Sequence, residues 1–104
     1  MNNSEDFYTR LEEQLLNSSE WPTKYQFKFI LKSNDSDISE LESIFDDVKD
    51  VKISFRKSSN NKFTSVSLIA IMKSPSFVIE KYKLASKIKG IISLYFNLVN
   101  LLNF

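Results

Sequence analysis

The chain alternates between two kinds of hydrophobic pattern, and this alternation predicts an α+β fold. In some segments apolar residues recur at every second position, as in a half-buried strand; in others they recur at helical spacing. After one leading helix the order is strand, helix, strand, strand, helix, strand. Right-handed crossovers close that order into a four-stranded antiparallel sheet with two helices on one face, the ferredoxin-like βαββαβ arrangement.

The first half of the chain supplies the leading helix, one strand and one further helix. Tyr8, Leu11 and Leu15 mark an amphipathic helix over residues 5–17. Residues 24–32 form a strand with one aromatic and aliphatic face and one face rich in lysine. A turn rich in Asn, Asp and Ser then caps a helix predicted over residues 37–47.

The second half predicts a hairpin, a helix and a short last strand. Strands over 51–56 and 62–72 flank a polar tip at 58–61. Ser74-Pro75 starts the last helix, with a capping hydroxyl followed by proline at the first helical position. Gly90, the one glycine in the chain, is expected to end that helix in a left-handed cap before a strand at 91–94.

These elements predict one domain over residues 1–94, in which βαββαβ occupies 24–94, and an apolar C-terminal extension at 95–104. Asparagine recurs at every third position of the extension, which favours a helix with one polar edge. We expect its removal to change oligomeric state or solubility more than the fold.

Composition excludes several classes of site. The chain has no His, no Cys and one Gly in 104 residues. An imidazole base, a thiolate nucleophile, an ordinary zinc site and a glycine-rich phosphate loop are therefore excluded. The six acids between Asp35 and Asp47 lack the glycine and closing glutamate of a calcium loop, so they are interpreted as a solvated helix face. We predict no catalytic residue, no metal and no cofactor.

The N-terminal residues are polar and acidic, unlike a signal peptide, and no apolar stretch reaches the ~20 residues that span a bilayer. With no cysteine as well, we expect a cytoplasmic protein that does not associate with membranes.

Two stretches resemble the YbeD-like family of small bacterial proteins. The first is Trp21-Pro22-Thr23 leading into Tyr25-Gln26-Phe27-Lys28-Phe29. The second runs from Lys57 through Ser67, and the resemblance continues to Leu94. It implies a ferredoxin-like fold similar to the amino-acid-sensing ACT-type regulatory domains. It implies no catalytic residue, and it leaves the extension outside the family pattern.

One sheet face is left without helices in this fold, and it is the predicted place for partners. It carries lysines and one arginine together with Ile30, Ile69 and Ile71, so something apolar is expected to cover it. The leading helix or a second subunit could do so, and we predict a homodimer. RNA or another single-stranded nucleic acid is the alternative ligand, although Lys62, Thr64 and Ser65 stand where ferredoxin-like RNA readers need glycine and aromatic residues.

The hairpin adds a candidate surface for a small anion or a partner protein. It consists of Lys57, Ser58, Ser59, Lys62, Phe63, Ser65 and Ser67. An ordinary soluble turn is the alternative interpretation. Trp21 is interpreted as a packing anchor, with a planar ligand as the alternative. Taken together, the sequence predicts a non-enzymatic regulatory or binding domain that senses a small ligand or binds a partner protein.

Overall fold

A computed structural model describes residues 3–95 of the chain and confirms the predicted α+β class. Three helices and four strands follow in the predicted order. They are α1 (Asn3–Ser18), β1 (Thr23–Lys32), α2 (Asp35–Ile44), β2 (Lys52–Lys57), β3 (Phe63–Met72), α3 (Pro75–Ala85) and β4 (Ile91–Tyr95). No helix among these residues is long and apolar enough to cross a bilayer.

The strands form one antiparallel sheet in the order β2-β3-β1-β4. β1 and β3 pair along their whole length, from Thr23 opposite Met72 to Lys32 opposite Phe63. β2 pairs with β3 without a break in register, whereas the pairing of β1 with β4 shifts between Ile30 and Leu31. β2 and β4 are therefore the two edge strands.

The core lies between one face of the sheet and the helices. Alternate side chains of β1 and β3 point into it, because successive residues of a strand face opposite sides of the sheet. Large aromatic side chains fill its centre, where the rings of Phe27 and Phe45 pack edge to face with centroids 4.9 Å apart. The buried hydrophobic residues are Tyr8, Leu11, Leu15, Phe27, Phe29, Leu31, Leu41, Phe45, Val66, Leu68, Ala70, Met72, Val78, Ile79, Tyr82, Ala85 and Ile88.

The leading helix α1 lies in the helix layer. Tyr8, Leu11 and Leu15 belong to the same core as the inward-facing residues of the sheet, and α1 packs against α3. The expectation that this helix could cover the opposite sheet face is therefore wrong. The indole Nε1 of Trp21 donates to the carbonyl oxygen of Leu15 at 3.0 Å, and its ring packs against the core, which supports its interpretation as an anchor.

Both predicted helix caps are present. The side chain of Asn34 accepts from the amide of Asp37 at 3.1 Å, and the hydroxyl of Ser74 accepts from the amide of Phe77 at 3.2 Å. Because Asn34 provides the cap, α2 begins at Asp35, two residues before the predicted start at 37. It ends at Ile44, three residues before the predicted end at 47.

The predicted role of Gly90 is wrong. α3 ends at Ala85, five residues before it, and Gly90 does not have a positive φ. A β-carbon there would instead collide with the carboxylate of Asp37 in the first turn of α2. Glycine is thus favoured at position 90 because the Asp37 side chain lies too close to leave room for a β-carbon. β4 reaches Tyr95, the first residue of the expected extension, and residues 96–104 lie outside the described part of the chain.

Candidate binding surface on the open sheet face

The sheet face that points away from the helices is called the open face below. Strand pairing determines its membership, because residues directly opposite each other lie on the same side. On β1, β2 and β3 it comprises Lys24, Gln26, Lys28, Ile30, Lys32, Lys52, Ser54, Arg56, Phe63, Ser65, Ser67, Ile69 and Ile71.

The charge of the open face is of one sign. It carries five cations, and none of the four strands contains Asp or Glu. Including Lys57, the strands contribute +6 to a chain whose net charge is +1, which leaves −5 on the helices and loops. Such segregation produces a positive potential over the open face and favours an anionic ligand there.

Small hydroxyl side chains occupy the centre of this face. Ser67 of β3 lies between Ser54 of β2 and Lys28 of β1. In the next register position, Ser65 lies between Arg56 and Ile30. Because serine is short, the surface dips into a shallow depression of about 330 Å³, lined by Lys28, Ser54, Phe55, Arg56, Ser65 and Ser67. Two cationic side chains therefore flank a group of hydroxyl donors.

Apolar residues lie toward both ends of the open face. Ile71 is 59% exposed next to the half-buried Ile69, and Phe63 is 38% exposed at the opposite end. A ligand with an anionic centre and apolar flanks would match this distribution.

The structure brings together only part of the predicted hairpin surface. Phe63, Ser65 and Ser67 share the open face, but Lys57 lies opposite Thr64 and so faces the helix side. Ser58, Ser59 and Lys62 belong to the turn between β2 and β3. The predicted set therefore does not form one continuous surface.

The turn also uses its own hydrogen-bonding groups. The amide of Ser58 donates to the carbonyl of Phe63 at 2.8 Å, and the Ser58 hydroxyl donates to the Asn60 side chain at 2.8 Å. The amides of Lys62 and Phe63 donate to Asn60 Oδ1 and Ser58 Oγ. Since these donors already have partners, the tip offers an anion less than Ser54 and Ser67 of the open face do, whereas the Ser65 hydroxyl donates to the carbonyl oxygen of Arg56 at 3.4 Å.

Lys81 is a buried charged residue that the sequence pattern did not reveal. It is 2% exposed, and its Nζ donates to the carbonyl oxygen of Ile44 and to the carboxylate of Asp47. This contact joins α3 to the last residue of α2 and to the turn that follows it. The Lys81 ammonium lowers the pKa of the Asp47 carboxyl by hydrogen bonding and by its charge.

A second buried polar contact joins β1 to α3. The hydroxyls of Tyr25 and Tyr82 lie 2.8 Å apart. Burial raises the pKa of both phenols. Neither this pair nor Lys81 lies on the open face, and their contacts are those of structural groups. Within residues 3–95, no group of three or more potential ligands is placed to hold a metal ion.

No family model and no curated protein matches the chain. Among solved structures, the fold is similar to the solution structure of protein HP0495 from H. pylori, with a TM-score of 0.59 and 21% sequence identity. The match covers 72% of this chain and 82% of that one. At this identity the likeness concerns the fold.

Proposed function

We propose that this protein is a non-enzymatic binding domain of the ferredoxin-like class, related to the YbeD-like family. The strand order β2-β3-β1-β4 with α2 and α3 as crossovers supports the fold assignment. The similarity to the HP0495 structure is consistent with the α+β class on which this assignment rests. A cytoplasmic location is part of the same proposal.

The proposed ligand is a small anion, a carboxylate or a phosphate, bound on the open face. The observation that carries this is the placement of Ser54, Ser65 and Ser67 between Lys28 and Arg56 on a face without acids. Arginine can hold two anionic oxygens in a bidentate contact, and lysine adds a compact charge. The hydroxyls of Ser54 and Ser67 supply further donors at the floor of the depression.

The test compares two neutralised lysines that share the open face. Lys28→Gln removes a cation beside the serines, whereas Lys24→Gln removes one opposite Ile71, away from the depression. Phosphate and citrate are titrated separately at constant ionic strength, with chloride as the reference anion, and amide shifts are followed by NMR. We expect saturable shifts of the Ser65 and Ser67 amides. The affinity derived from them should fall about tenfold in Lys28→Gln and should change little in Lys24→Gln. Equal weakening in both variants would indicate diffuse charge attraction and reject the site.

The predicted homodimer belongs to this proposal. Ile30, Ile69 and Ile71 remain without cover from α1, which supports a second copy as their partner. Two open faces bring five cations each, so such a dimer should strengthen as salt rises and repulsion is screened. Light scattering over a salt series tests this, and a monomer at every salt concentration would refute it.

Single-stranded nucleic acid is a second candidate, favoured by Phe63 among the five cations of the open face. Aromatic stacking and phosphate contacts are the usual basis of such binding. Tight binding of an oligonucleotide at physiological salt that is lost in Phe63→Ala would establish it. Its absence would leave the small-anion proposal in place.

A further inference from the structure

The strand β2 has an unusual environment for a strand that belongs to the main sheet. All six of its residues are exposed, including Ile53 at 36% and Phe55 at 51%. Ile53 and Phe55 lie opposite Leu68 and Val66, two fully buried residues of β3. They therefore extend the apolar side of the sheet past the region that the helices bury.

β2 also has an edge that is open to pairing. It is the terminal strand of the sheet and bonds only to β3 within residues 3–95. Its register runs from Lys52 to Lys57 without a bulge, and it contains neither Pro nor Gly. A straight edge strand with exposed apolar residues is a template for another extended chain.

The charges of β2 decide which chain fits. Lys52, Arg56 and Lys57 are all cationic, and β3 contributes no acid to neutralise them. A second β2 brings the same three cations, so it is a poorer electrostatic match. For an acidic strand, these charges speed up association and favour one pairing register.

We propose that β2 is a docking edge for an extended acidic and apolar segment of a partner protein. The segment adds as a fifth strand. Its acids lie opposite Lys52 and Arg56 on the open face, and its apolar side chains lie beside Ile53 and Phe55 on the helix side. The resulting pattern is acidic, apolar, any residue, apolar, acidic, and it matches β2 in either chain direction.

The test uses two synthetic peptides with capped ends, which are Thr-Glu-Val-Ser-Val-Glu-Thr and the same peptide with lysine in place of both glutamates. Each peptide carries an N-terminal fluorescein, and its binding to the 104-residue chain is measured by fluorescence polarisation at low salt. The wild type should bind the acidic peptide and not the basic one. Lys52→Glu/Arg56→Glu should weaken acidic-peptide binding by about tenfold or more and should gain binding of the basic peptide.

A charge-matched control separates the edge from the general field of the sheet. Lys24→Glu/Lys32→Glu makes the same change in net charge on β1, and acidic-peptide binding should stay within about threefold of wild type. Phe55→Thr, a neutral change, should weaken binding several-fold and provides a second variant if a charge reversal disturbs folding. Hydrogen exchange should slow at the amides of β2 when peptide binds.

Three outcomes would overturn the proposal. They are no binding of the acidic peptide by the wild type, equal loss in both double variants, and protection that appears at β1 while β2 stays unprotected. The anion site and the docking edge share Arg56, but the two proposals can be refuted independently of each other. Lys28→Gln should impair phosphate or citrate binding and leave peptide binding intact, whereas Ile53→Thr, at a residue of β2 that does not line the depression, should do the reverse.

Discussion

The ammonium group of Lys81 donates to the carbonyl oxygen of Ile44 at 2.9 Å and thereby connects the middle of α3 to the last residue of α2. The final carbonyls of a helix have no partner within the helix. Lys81 supplies one such partner, and its Nζ also lies 4.7 Å from the centroid of the Phe77 ring. The two helices are thus joined by a buried cation as well as by apolar packing.

Replacing Lys81 with methionine should destabilise the protein. Methionine preserves most of the side-chain volume, so the loss reflects the hydrogen bonds and the cation–π contact. We expect the free energy of unfolding to fall by about 1–3 kcal/mol, measured by urea denaturation. The matched control is Lys83→Met, since Lys83 also pairs with an acid, Glu5 at 3.1 Å, and lies over the Tyr8 ring, but its side chain is 43% exposed. That change should cost at most about 1 kcal/mol, and an equal or larger loss there would contradict the role given to Lys81.

The contact between Asp47 and Lys81 should make stability depend on acid pH. The pKa of Asp47 is lowered in the folded state, chiefly by the hydrogen bond from Lys81. Its contribution is therefore complete above the ordinary aspartate pKa of about 3.9 and declines as pH falls through the folded-state value. Asp47→Asn should lower stability at neutral pH and flatten the loss between about pH 4 and pH 2. Asp46→Asn is the control, and an identical flattening in it would reject this account.

The tyrosine pair should impose the opposite dependence at alkaline pH. The pKa values of Tyr25 and Tyr82 are raised in the folded state by burial. The folded protein therefore keeps both protons after the unfolded chain begins to lose them near pH 10, so stability should fall as pH rises beyond that point. Tyrosinate absorbance should rise together with the loss of helical circular dichroism. In Tyr82→Phe the slope of unfolding free energy against pH above about 10 should be shallower, and an unchanged slope would contradict the prediction.

The fold could be predicted from the sequence more fully than the site. Hydrophobic periodicity shows which residues share a face of a strand, but it does not show whether that strand lies at the edge of the sheet. The alternation in β1 and β3 correctly separated Phe27 and Leu68 from Lys28 and Ser67. In β2, Ile53 and Phe55 alternate with polar residues just as regularly, yet both apolar side chains are exposed. Whether a helix covers an edge strand depends on the width of the helix layer. This is a property of the tertiary structure, and the two-residue periodicity of a strand carries no information about it.

Buried polar contacts could not be predicted from the sequence either, because they too depend on how the elements pack together. Lys81 shares its helix with one other lysine, the partly exposed Lys83, and nothing in its local sequence separates the two. Its burial follows from the meeting of α3 with the end of α2 beside Asp47. Gly90 illustrates the same limit, because its position after a helix suggested a cap while its actual constraint comes from a residue more than fifty positions away.

The approach of Gly90 to Asp37 leads to a prediction about coupling. A β-carbon at position 90 would meet the Asp37 carboxylate, so Gly90→Ala must displace that side chain. The carboxylate is the end of a flexible side chain and can move, and we therefore expect a modest loss of about 1 kcal/mol in unfolding free energy. The cost should largely disappear in the Asp37→Ala background, where the colliding atoms are absent.

A double-mutant cycle measures this coupling. The two single variants and the double variant are compared by urea denaturation, and the interaction energy should be at least about 0.5 kcal/mol in favour of the double variant. Asp35→Ala provides the control, because Asp35 lies in the same first turn of α2 and does not meet the added carbon. Gly90→Ala combined with Asp35→Ala should be additive. Additivity in the Asp37 cycle as well would show that the contact with the Asp37 side chain does not cause the cost of a side chain at position 90.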